Sequence, residues 1–173
     1  MIERLLIAGS GGQGVILIGR LLASVAVNNV PHITFLPAYG AEVRGGVSNC
    51  QVILSSKKIA SPVSEQFDSI ILMNQESADK FLSRASANCL IVINSSLCKI
   101  PKNITSVAVN ATELADRLGN TRVANFVMLG AYLARKNFVP PDAIEKELIK
   151  ILSAKNRNVV DINLKAFRAG LNP

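Results

Sequence analysis

The sequence contains no tryptophan, and aromatic residues make up only 5% of its 173 positions. Its 19 Lys and Arg residues outnumber its 12 Asp and Glu residues, which gives a net charge of +7. Basic residues cluster no further than the pairs Lys57-Lys58 and Arg135-Lys136. A nucleic-acid platform would combine a basic stripe with aromatic side chains, so we predict no nucleic-acid partner. The modest charge suits a phosphate-bearing ligand or an acidic partner protein.

Cysteine and histidine are also scarce. The three cysteines, Cys50, Cys89 and Cys98, show no C-x-x-C spacing, and their odd number argues against a disulfide framework. An ordinary iron–sulfur cluster needs four thiolates, and a single histidine, His32, supplies too few ligands for a zinc site. We therefore predict no metal site and expect each cysteine to be a small buried side chain. No catalytic set stands out either, so the chain alone does not resemble an enzyme.

Long apolar runs are absent as well. None reaches the roughly 20 residues that a membrane-spanning helix requires, and the best candidate, residues 15–27, contains Arg20 and predicts a buried helix. The first four residues lead straight into an apolar run, which indicates no signal peptide. We predict a cytoplasmic protein with no membrane partner. Because no linker or repeat interrupts the chain, residues 1–173 should form a single domain.

The most informative segment that is present is the glycine-rich turn GSGGQG at residues 9–14, which lies between two apolar runs. Gly9, Gly11 and Gly14 match the pattern G-x-G-x-x-G, and Gly12 and Gln13 lie inside the same turn. This pattern is typical of a strand–turn–helix unit that binds phosphate through backbone N–H groups and the N-terminus of the helix. The alternative is that the glycines only allow the helix to pack closely against the strand.

Binding of NAD is a less favoured alternative for this turn. A dinucleotide site has an acidic residue about 20 positions after the glycines, where it binds the ribose hydroxyls. No acidic residue lies between Glu3 and Glu42, and the second predicted strand, residues 32–36, is followed by Pro37 and Ala38. The sequence therefore favours a phosphate-bearing ligand other than NAD.

A second candidate binding segment, PAYGAEVRGG, follows that strand at residues 37–46 and is predicted to be a loop. Arg44 can bind phosphate or carboxylate through two parallel hydrogen bonds, and the flanking glycines leave room for a ligand. The alternative is a surface ion pair between Glu42 and Arg44, which contributes little. We favour binding because ligand loops in open α/β sheets follow the ends of strands. The candidate residues of this loop are Tyr39, Gly40, Glu42, Arg44, Gly45 and Gly46.

The apolar pattern predicts an α/β fold with three layers (α/β/α), a Rossmann-like mixed sheet that is mostly parallel, and a helical C-terminal third. Residues 47–54 should form an antiparallel strand, since only a short loop precedes them. The other predicted strands are residues 67–74, 89–94 and 104–109. Helices are predicted at residues 13–28, 76–85, 112–118, 120–136 and 161–169, with Thr112 as the N-cap of the third. A further predicted helix begins at Pro141 and contains an Asp142–Lys146 pair. Asn74 and Asn94 fall at equivalent strand ends, where such a sheet gathers ligand-binding groups, and Asn74 completes the candidate site.

The chain resembles the gamma subunits of 2-oxoacid:ferredoxin oxidoreductases. The resemblance covers most of the chain in family order and is carried by GSGGQGV at 9–15, YGAEVRGG at 39–46, SNC at 48–50, IASP at 59–62, MNQ at 73–75 and GNTRVAN at 119–125. The segment at 39–46 looks closer to the 2-ketoisovalerate and 2-oxoglutarate enzymes than to the pyruvate or indolepyruvate enzymes. Ala38 and Ala41 stand where family members often carry Ser and Pro, so position 38 offers no hydroxyl group.

This resemblance implies a non-autonomous subunit of an enzyme that oxidises a 2-oxo acid to an acyl-CoA. Alpha, beta and delta-type subunits would hold thiamine diphosphate and the iron–sulfur clusters, and ferredoxin would accept the electrons. Our hypothesis is that the glycine turn and the Arg44 loop together bind the phosphates of coenzyme A (CoA). The alternatives are a stand-alone nucleotide- or NAD-binding Rossmann-like protein and a purely structural assembly subunit.

Overall fold

The structure is a computed structural model that describes residues 1–38, 46–100, 102 and 104–172. In these residues one sheet is flanked by helices and by two short 3₁₀ turns, Leu82–Arg84 and Thr121–Val123. The strands are β1 (Ile2–Ser10), β2 (His32–Ala38), β3 (Val47–Ser55), β4 (Phe67–Leu72), β5 (Ala85–Asn94) and β6 (Val107–Val109). The helices are α1 (Val15–Ala26), α2 (Gln75–Phe81), α3 (Ala111–Arg117), α4 (Ala124–Leu133), α5 (Pro141–Leu152) and α6 (Arg157–Leu171).

The strands form a six-stranded sheet in the order β2-β3-β1-β4-β5-β6. Strand β3 is antiparallel to both of its neighbours, whereas β1, β4, β5 and β6 pair in parallel. The predicted mixed and mostly parallel sheet is therefore confirmed, including the antiparallel strand after residue 46. Because five strands run in the same direction, their carboxyl ends share one edge of the sheet.

Helices cover both faces of the sheet, which confirms the predicted three layers. Leu5 and Ile7 of β1 pack in the larger core with side chains of α1, α3, α4, α5 and α6. Leu6 and Ala8 point to the opposite face and pack in a smaller core that includes Phe81 of α2. This alternation follows from the two-residue period of a strand, and the apolar runs of the parallel strands reflect burial on both faces.

Two predictions about the middle of the chain are wrong. The helix predicted at 76–85 is shorter, because Ala85 already begins β5 and pairs with Phe67 at the start of β4. Thr112 is not an N-cap, since α3 begins one residue earlier, after Asn110. The Thr112 hydroxyl instead accepts a hydrogen bond from the side chain of Asn94 at 2.9 Å.

The helical C-terminal third is confirmed with different boundaries. The helix predicted at 120–136 is divided into the 3₁₀ turn Thr121–Val123 and α4, and the last helix, α6, is longer than predicted. Pro141 occupies the first turn of α5, and Lys146 pairs with Asp142 at 3.2 Å, both as predicted. Within the described residues, no helix has the length and apolar character needed to cross a membrane.

Candidate functional site

The glycine turn lies at the carboxyl edge of the sheet, where β1 ends at Ser10. The side-chain amide of Asn74 donates a hydrogen bond to the Ser10 hydroxyl. The Asn94 amide donates to the backbone carbonyl of Met73 at 3.1 Å. The two asparagines singled out in the sequence therefore connect the ends of three neighbouring strands, β1, β4 and β5.

Asn74 uses both of its polar atoms within the chain. Besides the bond to Ser10, its Oδ1 atom accepts the Ser77 N–H at 2.9 Å and caps α2. In the structure this side chain positions the Ser10 hydroxyl beside the turn, and its role as a direct ligand stays a prediction.

Gln13 closes the turn through two hydrogen bonds with Ser10. The Ser10 N–H donates to Gln13 Oε1 at 2.7 Å, and the Gln13 N–H donates to the Ser10 carbonyl at 3.1 Å. The turn then passes through Gly14, whose φ of 72° places it in the left-handed region as the N-cap of α1. Helix α1 therefore starts at Val15, two residues later than predicted.

The glycines of the turn fall into two classes. A Cβ atom on Gly9 would meet side-chain atoms at 2.7–2.9 Å, and one on Gly14 would collide with the Asn125 amide. Close packing thus explains both of these glycines. Gly12 and Gly11 differ, because a Cβ atom on either would meet none of the described residues within 4 Å. Gly12 needs its φ of 90°, whereas the backbone of Gly11 has a negative or extended φ that other residues adopt.

Of the second candidate segment, the structure describes Pro37 and Ala38, which extend β2 and are not part of a loop as predicted, and Gly46. Its carbonyl accepts the Gly11 N–H at 3.4 Å, which places the end of that loop beside the glycine turn. The predicted binding residues Tyr39, Gly40, Glu42, Arg44 and Gly45 lie outside the described residues.

A cavity of about 230 Å³ opens on the β4–β5 side of the turn and is here called the Arg122 cavity. It lies between the strand ends and the start of α4. Its walls combine polar and apolar side chains with the backbone of the turn, and they comprise Gly12, Gln13, Met73, Leu97, Thr112, Thr121, Arg122, Ala124 and Asn125. Arg122, Thr121 and Asn125 were not candidate site residues, although the motif at 119–125 contributed to the family resemblance and was the signal that could have found them.

A second cleft, of about 430 Å³, lies on the β3 side of the turn and contains Arg20 of α1. It shares Gly12 with the Arg122 cavity, and its remaining walls are Ser10, Gly11, Gly14, Val15, Ile16, Leu17 and Ser48. Gly12 therefore borders both spaces, whereas Gly11 borders only the cleft on the β3 side.

The surroundings of the three cysteine thiols make them unreactive. Cys50 and Cys98 are buried, as expected, and Cys89 is half-buried. Burial raises the pKa of Cys50 to about 12 and the pKa values of Cys89 and Cys98 to about 11. All three are consequently protonated at neutral pH, and a protonated thiol is neither a good nucleophile nor a metal ligand.

Comparison with known proteins places this geometry in context. A family model described as pyruvate ferredoxin/flavodoxin oxidoreductase matches residues 4–172. The ketoisovalerate oxidoreductase subunit VorA of Methanothermobacter thermautotrophicus is 34% identical over 168 residues, which cover 96% of this chain but 35% of VorA. The 2-oxoglutarate synthase subunit KorC of Methanocaldococcus jannaschii is 29% identical over 176 residues, with 98% and 92% of the two chains covered.

Solved structures show the same fold. The gamma subunit of a keto/oxoacid ferredoxin oxidoreductase from Geobacter sulfurreducens is 32% identical, with a TM-score of 0.80 and coverage of 98% of this chain and 94% of that chain. A 2-oxoglutarate:ferredoxin oxidoreductase from Magnetococcus marinus, solved with 2-oxoglutarate, coenzyme A and succinyl-CoA bound, is 23% identical with a TM-score of 0.89. The match covers 98% of this chain and 30% of the Magnetococcus chain, and at this identity it supports the fold alone.

Proposed function

The chain belongs to the pyruvate ferredoxin/flavodoxin oxidoreductase family, and we propose that it works as the gamma subunit of a 2-oxoacid:ferredoxin oxidoreductase. In this proposal residues 1–173 form one domain of a complex with alpha, beta and delta-type subunits. The partner subunits hold thiamine diphosphate and iron–sulfur clusters, which supply decarboxylation and electron transfer to ferredoxin. The complex converts a 2-oxo acid and CoA to an acyl-CoA and carbon dioxide.

The relatives suggest the class of substrate. VorA is a ketoisovalerate oxidoreductase subunit and KorC is a 2-oxoglutarate synthase subunit. We therefore propose a branched-chain 2-oxo acid or 2-oxoglutarate as the substrate. Assays of the purified complex with 2-ketoisovalerate, 2-oxoglutarate and pyruvate test this directly, and preferred oxidation of pyruvate would contradict it.

The contribution of this chain is to bind CoA at the glycine turn. The observation that supports it is Gly11, because neither packing against the described residues nor a left-handed backbone requires a glycine there. A residue without a side chain at an open edge allows another group to approach the backbone. The neighbouring N-terminus of α1 favours a negatively charged group such as a phosphate.

A purely structural turn is the competing explanation, and substitutions at single glycines can distinguish it from CoA binding. Gly9 and Gly14 are needed for packing whether or not a ligand binds. Substitution of Gly14 would also disturb Asn125, and substitution of Gly12 would strain a left-handed backbone. A loss of CoA binding after either change would therefore be ambiguous, which makes Gly11 the informative position.

We expect Gly11→Ala to weaken CoA binding by about tenfold to a hundredfold, because its Cβ atom would keep a phosphate away from the backbone N–H groups and cost a charge-assisted hydrogen bond. Titration of the assembled complex with CoA measures the effect. The thermal unfolding temperature and the subunit composition of the variant serve as controls, since the new methyl group meets no described residue of this chain within 4 Å. If a correctly assembled Gly11→Ala complex has unchanged CoA affinity, the turn serves only the packing of the helix against the strand.

We further expect the isolated chain to show no turnover of 2-oxo acids, because a subunit that only helps to bind CoA lacks the redox cofactors of the reaction. Adding the partner subunits should restore oxidation that depends on both CoA and ferredoxin. Reduction of ferredoxin by the isolated chain with a 2-oxo acid and CoA would contradict the proposed division of labour.

A further inference from the structure

The amino edge of the sheet, opposite to the glycine turn, is where β1, β4 and β5 begin and the antiparallel β3 ends. The Ser56 N–H donates to the Met1 carbonyl at 3.0 Å, so the exposed pair Lys57 and Lys58 follows directly beside the start of β1. Exposed Arg84 immediately precedes β5. Because neighbouring strands lie about 4.8 Å apart, the distance along this edge from β3 to β5 is about 14 Å.

The end of α4 adds Arg135 to the same edge. Its neighbour Lys136 reaches the buried Glu3 of β1 at 3.0 Å, which places the end of α4 beside the start of β1. The exposed Arg135 side chain donates to the Ala131 carbonyl at 3.2 Å, so its guanidinium is held at the C-terminus of the helix. A guanidinium has several N–H donors, and those left over can bind a carboxylate. The basic edge is the name used here for Lys57, Lys58, Arg84 and Arg135.

The acidic residues near these strand ends do little to neutralise the basic edge. Glu3 is paired with Lys136, and Asp68 pairs with Arg4 at 3.3 Å, so both carboxylates balance cations outside the basic edge. Glu65, which is exposed, precedes β4 by two residues. None of the ion pairs formed by the described residues includes a member of the basic edge. A positive surface therefore remains along the amino edge of the sheet.

Two of these cations are held in place by contacts within the chain. The Arg84 guanidinium lies 5.7 Å from the centroid of the Phe81 ring, and Arg135 is bonded to the end of α4. Gathering like charges on one surface destabilises the isolated chain through repulsion. A cation that is already ordered loses little conformational entropy when it binds a partner. The arrangement therefore favours an external group of opposite charge.

We propose that the basic edge docks against an acidic protein surface, formed by Asp and Glu side chains, on a partner subunit of the oxidoreductase complex. The proposal rests on the proposed function and adds the surface through which this chain assembles. Met1 and Ile2 are exposed at the start of β1, which lies between Lys57 and Arg84 along the edge. They provide an apolar centre with cations around it, which is the usual arrangement of a protein–protein interface.

Other occupants fit the basic edge less well. A two-fold contact between two copies of the chain would bring the same cations face to face. Single-stranded nucleic acid stacks its bases on exposed rings, whereas Phe67 and Phe81 at these strand ends are buried. An anionic membrane surface attracts a continuous polybasic segment, whereas these cations come from three separate parts of the chain. Charge and composition together favour an acidic protein surface.

Lys58→Glu and Arg135→Glu each reverse one charge at an exposed position of the basic edge. Each should weaken binding of the full chain to its partner subunits, purified together without it, by about tenfold to a hundredfold. Lys165→Glu is the matched control, since it makes the same charge change on the exposed side of α6, whose buried side packs against α4. Its affinity should stay within about twofold of wild type. Lys58 follows a strand, so its variant leaves the end of α4 unchanged.

Ionic strength provides a second readout. Added salt should weaken binding of the wild-type chain and reduce the difference between wild type and the two variants. Variant complexes assembled at high protein concentration should keep normal KM values for CoA and the 2-oxo acid, because the basic edge and the glycine turn lie at opposite edges of the sheet. A thermal unfolding temperature equal to that of wild type shows that each variant is folded.

The proposal would be overturned if Lys58→Glu and Arg135→Glu bound the partner subunits as tightly as Lys165→Glu does. It would also be overturned if the two changes abolished binding to double-stranded DNA or phosphatidylglycerol vesicles, or self-association of the chain, and left the affinity for the partner subunits unchanged. If the wild-type complex assembles and turns over with CoA while both variants assemble normally, the proposed function stands and only this docking surface fails. A wild-type chain that does not bind the partner subunits would contradict both.

Discussion

Lys136→Met should lower the free energy of unfolding by about 3–5 kcal/mol, because it leaves a buried carboxylate without its cation. That carboxylate belongs to Glu3, whose side chain is 3% exposed and which accepts a hydrogen bond from Lys136 Nζ at 3.0 Å. Chemical denaturation of the full chain measures the loss. The site lies near the start of β1, at the edge of the sheet opposite to the glycine turn, so the change acts on stability rather than on ligand binding.

Two hydroxyl groups complete the surroundings of Glu3 and cannot replace the lysine. Ser69 donates to Glu3 Oε1 at 2.5 Å and Tyr132 donates to the same atom at 3.3 Å. Burial, together with the negative charge of Glu3, raises the pKa of Tyr132 above its usual value, so this hydroxyl stays protonated and remains a donor. Neutral donors satisfy the oxygen atom, but among the described residues only Lys136 pairs with the carboxylate and balances its charge.

Lys146→Met provides the matched control, since Lys146 forms an exposed ion pair with Asp142 at a separation of four residues. Such a pair contributes no more than about 0.5 kcal/mol. The double variant Glu3→Gln with Lys136→Met should recover much of the lost stability, because the uncompensated charge is gone. If Lys136→Met were as stable as Lys146→Met, the buried pair would not contribute as proposed.

Short-range patterns in the sequence were sufficient to predict most of the architecture. The apolar runs predicted the parallel strands, and the short connection to residues 47–54 predicted the antiparallel β3. Pro141 marked the start of α5, and the glycine turn marked the junction of β1 and α1. Each of these signals depends on residues close together in the chain, where propensity and periodicity act directly.

The features that the sequence did not reveal depend on contacts between distant residues. The Glu3–Lys136 pair joins positions separated by 133 residues, and the hydrogen bond from Asn125 to Gly14 spans 111. Threonine is a common N-cap residue, which is why Thr112 was predicted to cap a helix. Its hydrogen bond with Asn94 exists only because the fold brings β5 and α3 together.

The same distinction applies to the glycines. A pattern such as G-x-G-x-x-G treats its members as equivalent, whereas in the structure Gly9 and Gly14 serve packing and Gly11 has no such neighbour among the described residues. The candidate site was thus predicted as a segment, and its division into packing residues and exposed residues required the fold. The helical third contains a further glycine, Gly170, that no sequence pattern singled out.

We expect Gly170→Ala to lower the free energy of unfolding by about 3 kcal/mol, through overpacking of α4 against α6. A Cβ atom at this position would collide with the Val127 carbonyl oxygen and lie 2.7 Å from its carbon, and a backbone cannot yield as a side chain can. Gly130 is its counterpart on α4, where a Cβ atom would collide with the Phe167 carbonyl. The two glycines allow the helix backbones to touch, and chemical denaturation of the variant measures the cost of separating them.

The sign of this effect distinguishes packing from helix propensity. In an open helix Gly→Ala stabilises by about 1 kcal/mol, so a stabilised Gly170→Ala variant would contradict the close contact. Gly11→Ala is the matched control, because the same methyl group meets none of the described residues there and should leave stability within about 0.5 kcal/mol of wild type. Since Asn125 at the start of α4 donates to the Gly14 carbonyl at 3.3 Å, displacing α4 should also disturb the glycine turn and weaken CoA binding in the assembled complex. Gly11→Ala is thereby expected to change binding alone, and Gly170→Ala to change both binding and stability.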